Sequence, residues 1–288
     1  MTNPIADPLV AVMDSDTETS MVRLQVTADG IAYVTLNRPQ RRNAFNTELI
    51  AGLREVFETL RGAEGVRIVF IRGAGGMFSA GADLEWMRDA IERSEGDNRD
   101  DAMKMAVMFK HLYDIPALTV ALVEGGAYGG GAGLAAACDL AIATKAAKFS
   151  FSEVKLGLIA ATISPYVVAA IGPRKARGLF ATGRVFDAHE AQAIGLIDSV
   201  VDDLEALHAA AEALAQDMMA CAPDSVRDSK ALVAYVAGRP IDHGLMEETA
   251  RRIARARVSP EGQEGVRAFL ENRKASWAEG EVSQISWG

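Results

Sequence analysis

Cysteine is scarce in this chain: only Cys138 and Cys221 occur in 288 residues, far apart and each beside small or apolar neighbours. That pattern argues against a disulfide-stapled scaffold and predicts buried, reduced thiols in a cytoplasmic protein. Histidine is equally sparse. His111, His189, His208 and His243 stand without ligand spacing, so the sequence offers no zinc site and no legible Ser-His-Asp arrangement. Positive charge is in deficit, with 30 Lys and Arg against 39 Asp and Glu and a formal charge of -9. Such a surface repels nucleic acid and anionic membrane on average, and no stripe of basic and aromatic residues offsets it. Every candidate apolar run is broken by charges or turn residues before it reaches the length of a bilayer-crossing helix. The first residues lack a basic n-region and carry Asp7, Asp14, Asp16 and Glu18, which predicts neither a secretory signal nor an Arg-rich transit peptide. The segment 1–20 reads as a poorly ordered tail. Internal repeats and low-complexity tracts are not visible.

What is present is apolar bulk. At 49% hydrophobic composition the chain can bury a large core, and its length predicts one main domain with a smaller appendage. Strands are expected over 22–27 and 31–36, joined by a turn at Asp29-Gly30. A helix follows over about 47–61: Leu49, Ile50, Leu53, Val56, Phe57 and Leu60 share one face, Asn46 can cap its start and Gly62 can end it. Strand and helix then alternate through apolar runs near 66, 117 and 139, an α/β pattern. Beyond 201 the sequence turns helical, over 203–219, 224–236, 244–256 and 260–274. The expected division is a tail (1–20), a core carrying the site (21–202) and a C-terminal helical region (203–288).

Two glycine-bearing loops and one glutamate carry the chemistry. Phe78-Ser79-Ala80-Gly81-Ala82-Asp83-Leu84 follows the β-branched run 66–71, and Gly129-Gly130-Gly131-Ala132-Gly133-Leu134 follows 118–123. Each leads into a helix-compatible segment, so backbone N–H groups near each turn can converge on one point without side chains in the way. Two such donors make an oxyanion hole. Taken singly, the first loop reads as a plain tight turn and the glycine triplet as helix–strand packing. Downstream, Glu153 follows Phe149-Ser150-Phe151, apolar neighbours that would raise its pKa and suit it to both accept and donate a proton. An isolated glutamate would read as a solvated surface charge.

In order and spacing, these motifs resemble the crotonase (enoyl-CoA hydratase/isomerase) superfamily. The resemblance begins at Leu36-Asn37-Arg38-Pro39 and Asn43-Ala44-Phe45. It runs through both loops, Cys138-Asp139-Leu140 and Gly157-Leu158-Ile159, and reaches Phe269-Leu270-Glu271-Asn272-Arg273-Lys274. It implies a spiral of ββα units closed by C-terminal helices that mediate trimer contacts, usually with two trimers forming a hexamer. The substrate it implies is a coenzyme A thioester, with no further cofactor and no metal. Matched residue by residue, Ala82 and Gly130 are the oxyanion donors and Glu153 the catalytic glutamate. Ala80, Gly81, Asp83, Leu84, Gly131 and Gly133 surround the acyl group, with Asp83 also read as a support for its loop and the following helix. Arg41 and Arg42, with Arg273 and Lys274, are candidate partners for the CoA phosphates.

Two departures matter. Hydratases of the β-oxidation type carry a second glutamate where this chain has Gly133, and Asn272 replaces a lysine of related hydratases. Glu124, the nearest other carboxylate in sequence, reads as a strand-end residue. One glutamate can still activate water for addition at C3 and supply the C2 proton, or shuttle a proton between C2 and C4 as an isomerase. The pattern 81–87, with 131–134 and 163–168, looks most like bacterial methylglutaconyl-CoA hydratases and their relatives acting on isohexenylglutaconyl-CoA. The missing side chain at Gly133 is expected to leave room beside C3 for a branched acyl group, which favours hydration. A non-catalytic acyl-CoA-binding or RNA-binding member of the family is the remaining alternative, RNA being disfavoured by the acidic charge.

Overall fold

The computed structural model describes residues 20–278; the expectation of an unordered tail falls, but for Ser20, outside them. Six strands form the main sheet in the order β1-β2-β3-β4-β6-β9, and three form a second sheet, β5-β7-β8. Their spans are β1 Val22–Val26, β2 Ile31–Leu36, β3 Ile68–Gly73, β4 Leu118–Val123, β5 Gly126–Tyr128, β6 Leu140–Thr144, β7 Lys148–Ser150, β8 Phe186–Asp187 and β9 Ser199–Val201. The hairpin β1–β2 is antiparallel, whereas β2, β3, β4, β6 and β9 run parallel. Gly30, at φ 87°, supplies the left-handed residue that the hairpin turn requires.

The described residues form ten α-helices: α1 Thr47–Gly62, α2 Leu84–Ile91, α3 Glu95–Tyr113, α4 Gly130–Ala137 and α5 Ser164–Thr182, then α6 Ala188–Ala193, α7 Leu204–Ala220, α8 Pro223–Val236, α9 His243–Val258 and α10 Pro260–Leu270. In α1 the Asn46 side chain accepts from Leu49 N–H at 3.0 Å, while Leu49, Ile50, Leu53, Phe57 and Leu60 are buried. Burial decides this helix: a cap contributes about 1 kcal/mol, whereas each large apolar side chain removed from water contributes about 1.5–3 kcal/mol. Gly62 is the last residue of the helix, with extended Ala63 as the cap, and the last helix stops at Leu270 instead of 274.

Three successive turns of the chain each give one strand to the main sheet, one stretch to the second layer, and then helix. They are β3 with Ser79, which bridges in parallel to Ala127, then β4 with β5 before α4, and β6 with β7 before α5. This is the ββα spiral, repeated in backbone and not in sequence. Alternation along the strands divides the core in two. Ala32, Val34, Val69, Ile71, Ala121 and Val123 face the helices of the spiral, while Ile31, Tyr33, Ile68, Phe70, Val120 and Leu122 face Leu207, Ala211, Ala215, Met218 and Met219 of α7. The first helix of the C-terminal region therefore covers the second face of the sheet and belongs to the core. By contrast α8 and α9 bury no residue within the chain.

Candidate active site

The loops that follow β3 and β4 meet at the carboxyl ends of those strands. Asn43 holds the first loop from beneath. Its Oδ1 accepts from Arg38 N–H at 2.9 Å, and its Nδ2 donates to Ala74 and Met77 carbonyls at 2.9 and 2.6 Å. Asn43 itself sits in the left-handed region at φ 55°, a conformation that asparagine tolerates better than most residues. Buried Ser79 adds a bond to Asn43 O at 2.8 Å. Phe45 then bridges Ala82 as a neighbouring strand: Phe45 N–H donates to Gly81 O at 2.7 Å and Asp83 N–H donates to Phe45 O at 2.9 Å. Strand geometry turns the Ala82 N–H to the opposite side, and among the described residues no acceptor within the chain meets it.

The second donor comes from a helix terminus. Gly129 N–H donates to Ser150 O at 2.9 Å, and the first bond of α4 runs from Gly133 N–H to Gly129 O at 3.0 Å. Gly130 is the first residue of α4, so its N–H precedes the helical ladder and, among the described residues, has no acceptor in the chain. The helix dipole adds to its attraction for a developing negative oxygen. Close approach explains the glycines. A β-carbon on Gly130 would stand 2.7 Å from Met105 Cε and 3.1 Å from Phe45 Cε2, and one on Gly81, at φ 88°, would stand 2.9 Å from Tyr128 O.

Glu153 opens a single 3-10 turn, Glu153–Leu156, closed by left-handed Gly157. Buried Phe151, packed edge-on to Phe180 with centroids 5.1 Å apart, fixes the strand that delivers it. Its Oε1 lies 3.0 Å from the point where a β-carbon on Gly129 would be, which places the carboxyl beside the glycine preceding the donor Gly130. Oε2 is buried, with no hydrogen-bond partner among the described residues. Burial pushes the Glu153 pKa above the ordinary carboxylate value, against a weaker opposing bond from its own backbone N–H. The site thus holds two free N–H donors and one carboxyl poised to bind or release a proton.

Other expected residues fall elsewhere. Asp83 does not face the substrate: Oδ2 pairs with Arg38 Nη1 at 2.6 Å and Oδ1 caps α2, accepting from Glu85 and Trp86 N–H at 2.8 and 3.3 Å. Burial alone would raise its pKa, but the Arg38 bond and the two N–H donors outweigh it and hold the carboxyl below the usual value. Gly131 is a packing position as well, its missing β-carbon leaving room for Ser79 at 2.8 Å. Gly133 opens no space beside the acyl group, because a β-carbon there would meet Ile163 Cγ2 at 2.3 Å and Phe109 Cζ at 3.2 Å. The expected cavity is filled by Ile163. Ala80 is braced by a bond from its N–H to Arg42 O at 2.9 Å, and Leu84 stands 75% exposed at the loop's end.

Arg41 and Arg42 lie on the bracing loop, both exposed, with Arg41 in a surface pair with Glu85 at 2.9 Å that a phosphate could replace. Arg273 and Lys274 are not brought to the site within one chain. Arg273 is gripped by Glu264 and Glu271, with contacts of 2.7 Å to each. The neighbouring Trp277 carbonyl accepts from Arg67, at the amino end of β3 and so at the opposite edge of the sheet from both loops. Glu124 directly follows β4, and its Oε1 lies 4.0 Å from where a β-carbon on Gly76 would be. Asn43, Ser79 and Ile163 lie within motifs that the sequence shows, but their bracing roles, and that of Met105, had no signal there. Among the described residues, no group of three His, Cys, Asp or Glu is placed to hold a metal ion, and no helix is long and apolar enough to cross a membrane.

A spiral of ββα turns that brings two backbone N–H groups without acceptors onto adjoining loops beside a buried carboxyl defines an α/β protein of the crotonase fold. Residues 26–280 match the family model described as enoyl-CoA hydratase/isomerase. A Thermus thermophilus relative, provisionally named an enoyl-CoA hydratase, is 37% identical over 250 residues, covering 87% of this chain and 98% of its own. The crystal structure of an enoyl-CoA hydratase from Shewanella pealeana is 38% identical at a TM-score of 0.85, over 89% of this chain and 96% of that one. Pseudomonas aeruginosa AtuE is 36% identical at a TM-score of 0.86, over 90% and 100%. The chain belongs to the enoyl-CoA hydratase/isomerase family and is an enzyme acting on acyl-CoA.

Proposed function

We propose that this chain hydrates the C2=C3 bond of an enoyl-CoA thioester with Glu153 as its single acid/base. The observation that carries the reading is that the Ala82 and Gly130 N–H groups, neither met by an acceptor among the described residues, lie on loops that pack against each other at Gly81 and Gly129, with the Glu153 carboxyl beside Gly129. The two N–H groups bind the thioester oxygen and stabilise it as negative charge arrives. Glu153 takes a proton from water, the hydroxide adds to C3, the C2=C3 electron pair moves to the thioester oxygen as an enolate, and the protonated Glu153 returns its proton to C2. Water is consumed and the enzyme is regenerated. Arg41 and Arg42 meet the CoA phosphates. A branched glutaconyl group such as 3-methylglutaconyl-CoA is the first acyl group to test, on the strength of the 81–87 pattern alone. The steric support once expected from Gly133 is absent.

A second reading has its own observation. Ile163 occupies the volume that a second carboxylate would need at Gly133, so no other acid sits on that helix to orient water. Glu153 could then remove a proton from C2 of a 3-enoyl-CoA and return it at C4, with the dienolate held by the same N–H pair. Incubation with crotonyl-CoA, 3-methylglutaconyl-CoA and a 3-enoyl-CoA, each followed to product, decides between them. Hydrated product supports the first reading, a shifted double bond without water uptake the second, and binding without conversion leaves a non-catalytic acyl-CoA carrier. We place the reaction in the cytoplasm, whose reducing conditions suit the free Cys138 and Cys221 thiols, and in a trimer or hexamer joined through the C-terminal helices.

A further inference from the structure

We infer that Ile163 is a positioning residue for Glu153, and that Gly133 exists as its socket. The fit between them is direct: a β-carbon on buried Gly133 would lie 2.3 Å from Ile163 Cγ2 and 2.8 Å from Ile163 Cβ. The preceding residue makes a second attachment, to the neighbouring α3. Thr162 Oγ1 donates to Met105 Sδ at 3.8 Å, and Met105 Cε lies 2.7 Å from where a β-carbon on the oxyanion donor Gly130 would be. Ile163 therefore engages α4 directly at Gly133, while Thr162 is tied to Met105 of α3, whose methyl in turn packs at Gly130.

This matters because the stretch between the glutamate and this anchor has little burial of its own. Residues 154–159 are all exposed, with Leu156 61% and Ile159 81% accessible. Its turns are closed locally, by bonds from Lys155 N–H to Ser152 O at 3.0 Å, Gly157 N–H to Val154 O at 3.2 Å, Leu158 N–H to Glu153 O at 3.1 Å and Ala161 N–H to Ile159 O at 2.8 Å. The segment is held upstream by buried Phe151, downstream by buried Ile163, and between them where Val154 and Lys155 pack against Gly183, at the far end of the helix that Ile163 caps. A shift at Ile163 is passed back along a short, exposed connection to the carboxyl, while α4, which carries the Gly130 N–H, stays with the core. Ile163 thus sets the distance between the acid/base and the oxyanion donor without touching substrate.

This inference rests on the reading of Glu153 as the acid/base, and the two fail differently. Three variants test it: Ile163→Ala, Gly133→Ala and the double variant, each assayed for kcat, KM, the pH profile of kcat and Tm on the substrate that the wild-type chain turns over. Ile163→Ala is expected to lower kcat tenfold or more with KM within about threefold, and to move the acid limb of the profile toward the ordinary carboxylate range as Glu153 gains water. Gly133→Ala is expected to do the same by expelling Ile163. The double variant, in which the added carbon enters space left by Ile163 Cγ2 and needs only a small shift from the retained Cβ at 2.8 Å, is expected to recover part of the loss. If Ile163→Ala lowers only Tm, leaving kcat and its pH profile unchanged, or if the double variant loses the full product of the two single effects, Ile163 is mere core packing and the inference is overturned. If Glu153→Gln retains turnover, it is instead the acid/base reading that falls.

Discussion

Arg38 donates to Asp83 at 2.6 Å across a span of 45 residues, and both side chains are buried. The pair ties the loop after β2 to the loop that carries the Ala82 N–H, and the same carboxylate caps α2. Asp83→Asn would leave the Arg38 charge buried without a counter-charge, at a cost on the order of 3 kcal/mol. The Asp83 pKa lies below its unfolded value, so its stabilisation is present above the unfolded pKa and disappears as pH falls through the folded one. Urea titrations should therefore show a wild-type advantage at pH 7 that closes below about pH 4. An equal difference at pH 7 and pH 3 would exclude an ionic origin.

Glu153→Gln should lower turnover by on the order of a thousandfold, with acyl-CoA affinity retained within about tenfold. The same variant has a thermodynamic signature of opposite sign to Asp83. Because burial raises the Glu153 pKa, ionising it costs folding free energy, a penalty absent below the unfolded pKa and growing as pH rises through the folded one. Glu153→Gln should melt higher than wild type at pH 8, with the gap narrowing toward pH 4. A lower melting temperature at pH 8 would mean that the carboxylate has a partner in the folded protein.

Gly130→Ala tests the second oxyanion donor. The added carbon meets Met105 Cε at 2.7 Å and Phe45 Cε2 at 3.1 Å, and the flexible methionine can yield while the phenylalanine must move. The N–H survives but is displaced. A fall in kcat of about a hundredfold, with a smaller change in KM, is expected from a donor that acts mainly on the transition state. Equal changes in KM and no change in kcat would assign Gly130 to ground-state binding.

Lys230 offers a control far from the chemistry. Its Nζ donates to the Ile115 and Ala117 carbonyls at 2.7 Å each and to Asp139 Oδ2 at 2.6 Å, clamping α8 to the core. Lys230→Ala strands these acceptors and should cost about 1–3 kcal/mol of stability. At a temperature where the variant is folded, kcat should match wild type; a large loss would link the C-terminal helices to the active site.

The exposed apolar residues of the last helices call for cover. Val233, Met246, Ile253, Val266, Phe269 and Leu270 are each more than half accessible, and the last two reach 81% and 72%. Sedimentation of the full-length protein should give a trimer or hexamer, in which Arg273 or Lys274 could approach a neighbouring chain's ligand. An active monomer at micromolar concentration would rule out both.

The local features were readable from residue types because each rests on neighbours in sequence. The Asp29-Gly30 turn, the Asn46 cap with the apolar face of α1, and the α8 and α9 spans all follow from periodicity and capping, which act within a turn or two. The family motifs marked Ala82, Gly130 and Glu153. What periodicity could not supply was partnership across the fold. Nothing in a stripe of Leu207, Ala211 and Met218 says that α7 faces the sheet rather than a second subunit, since burial depends on what comes to lie opposite. Nothing beside Gly133 says that Ile163, thirty positions on, fills its place, because a glycine reports only that a side chain is missing. Asp83 and Arg273 carry charges suited to a ligand, yet each is bound by a partner that only folding brought within reach. Backbone pattern is encoded locally, whereas whether a polar group is free for chemistry is decided by every group that packs around it.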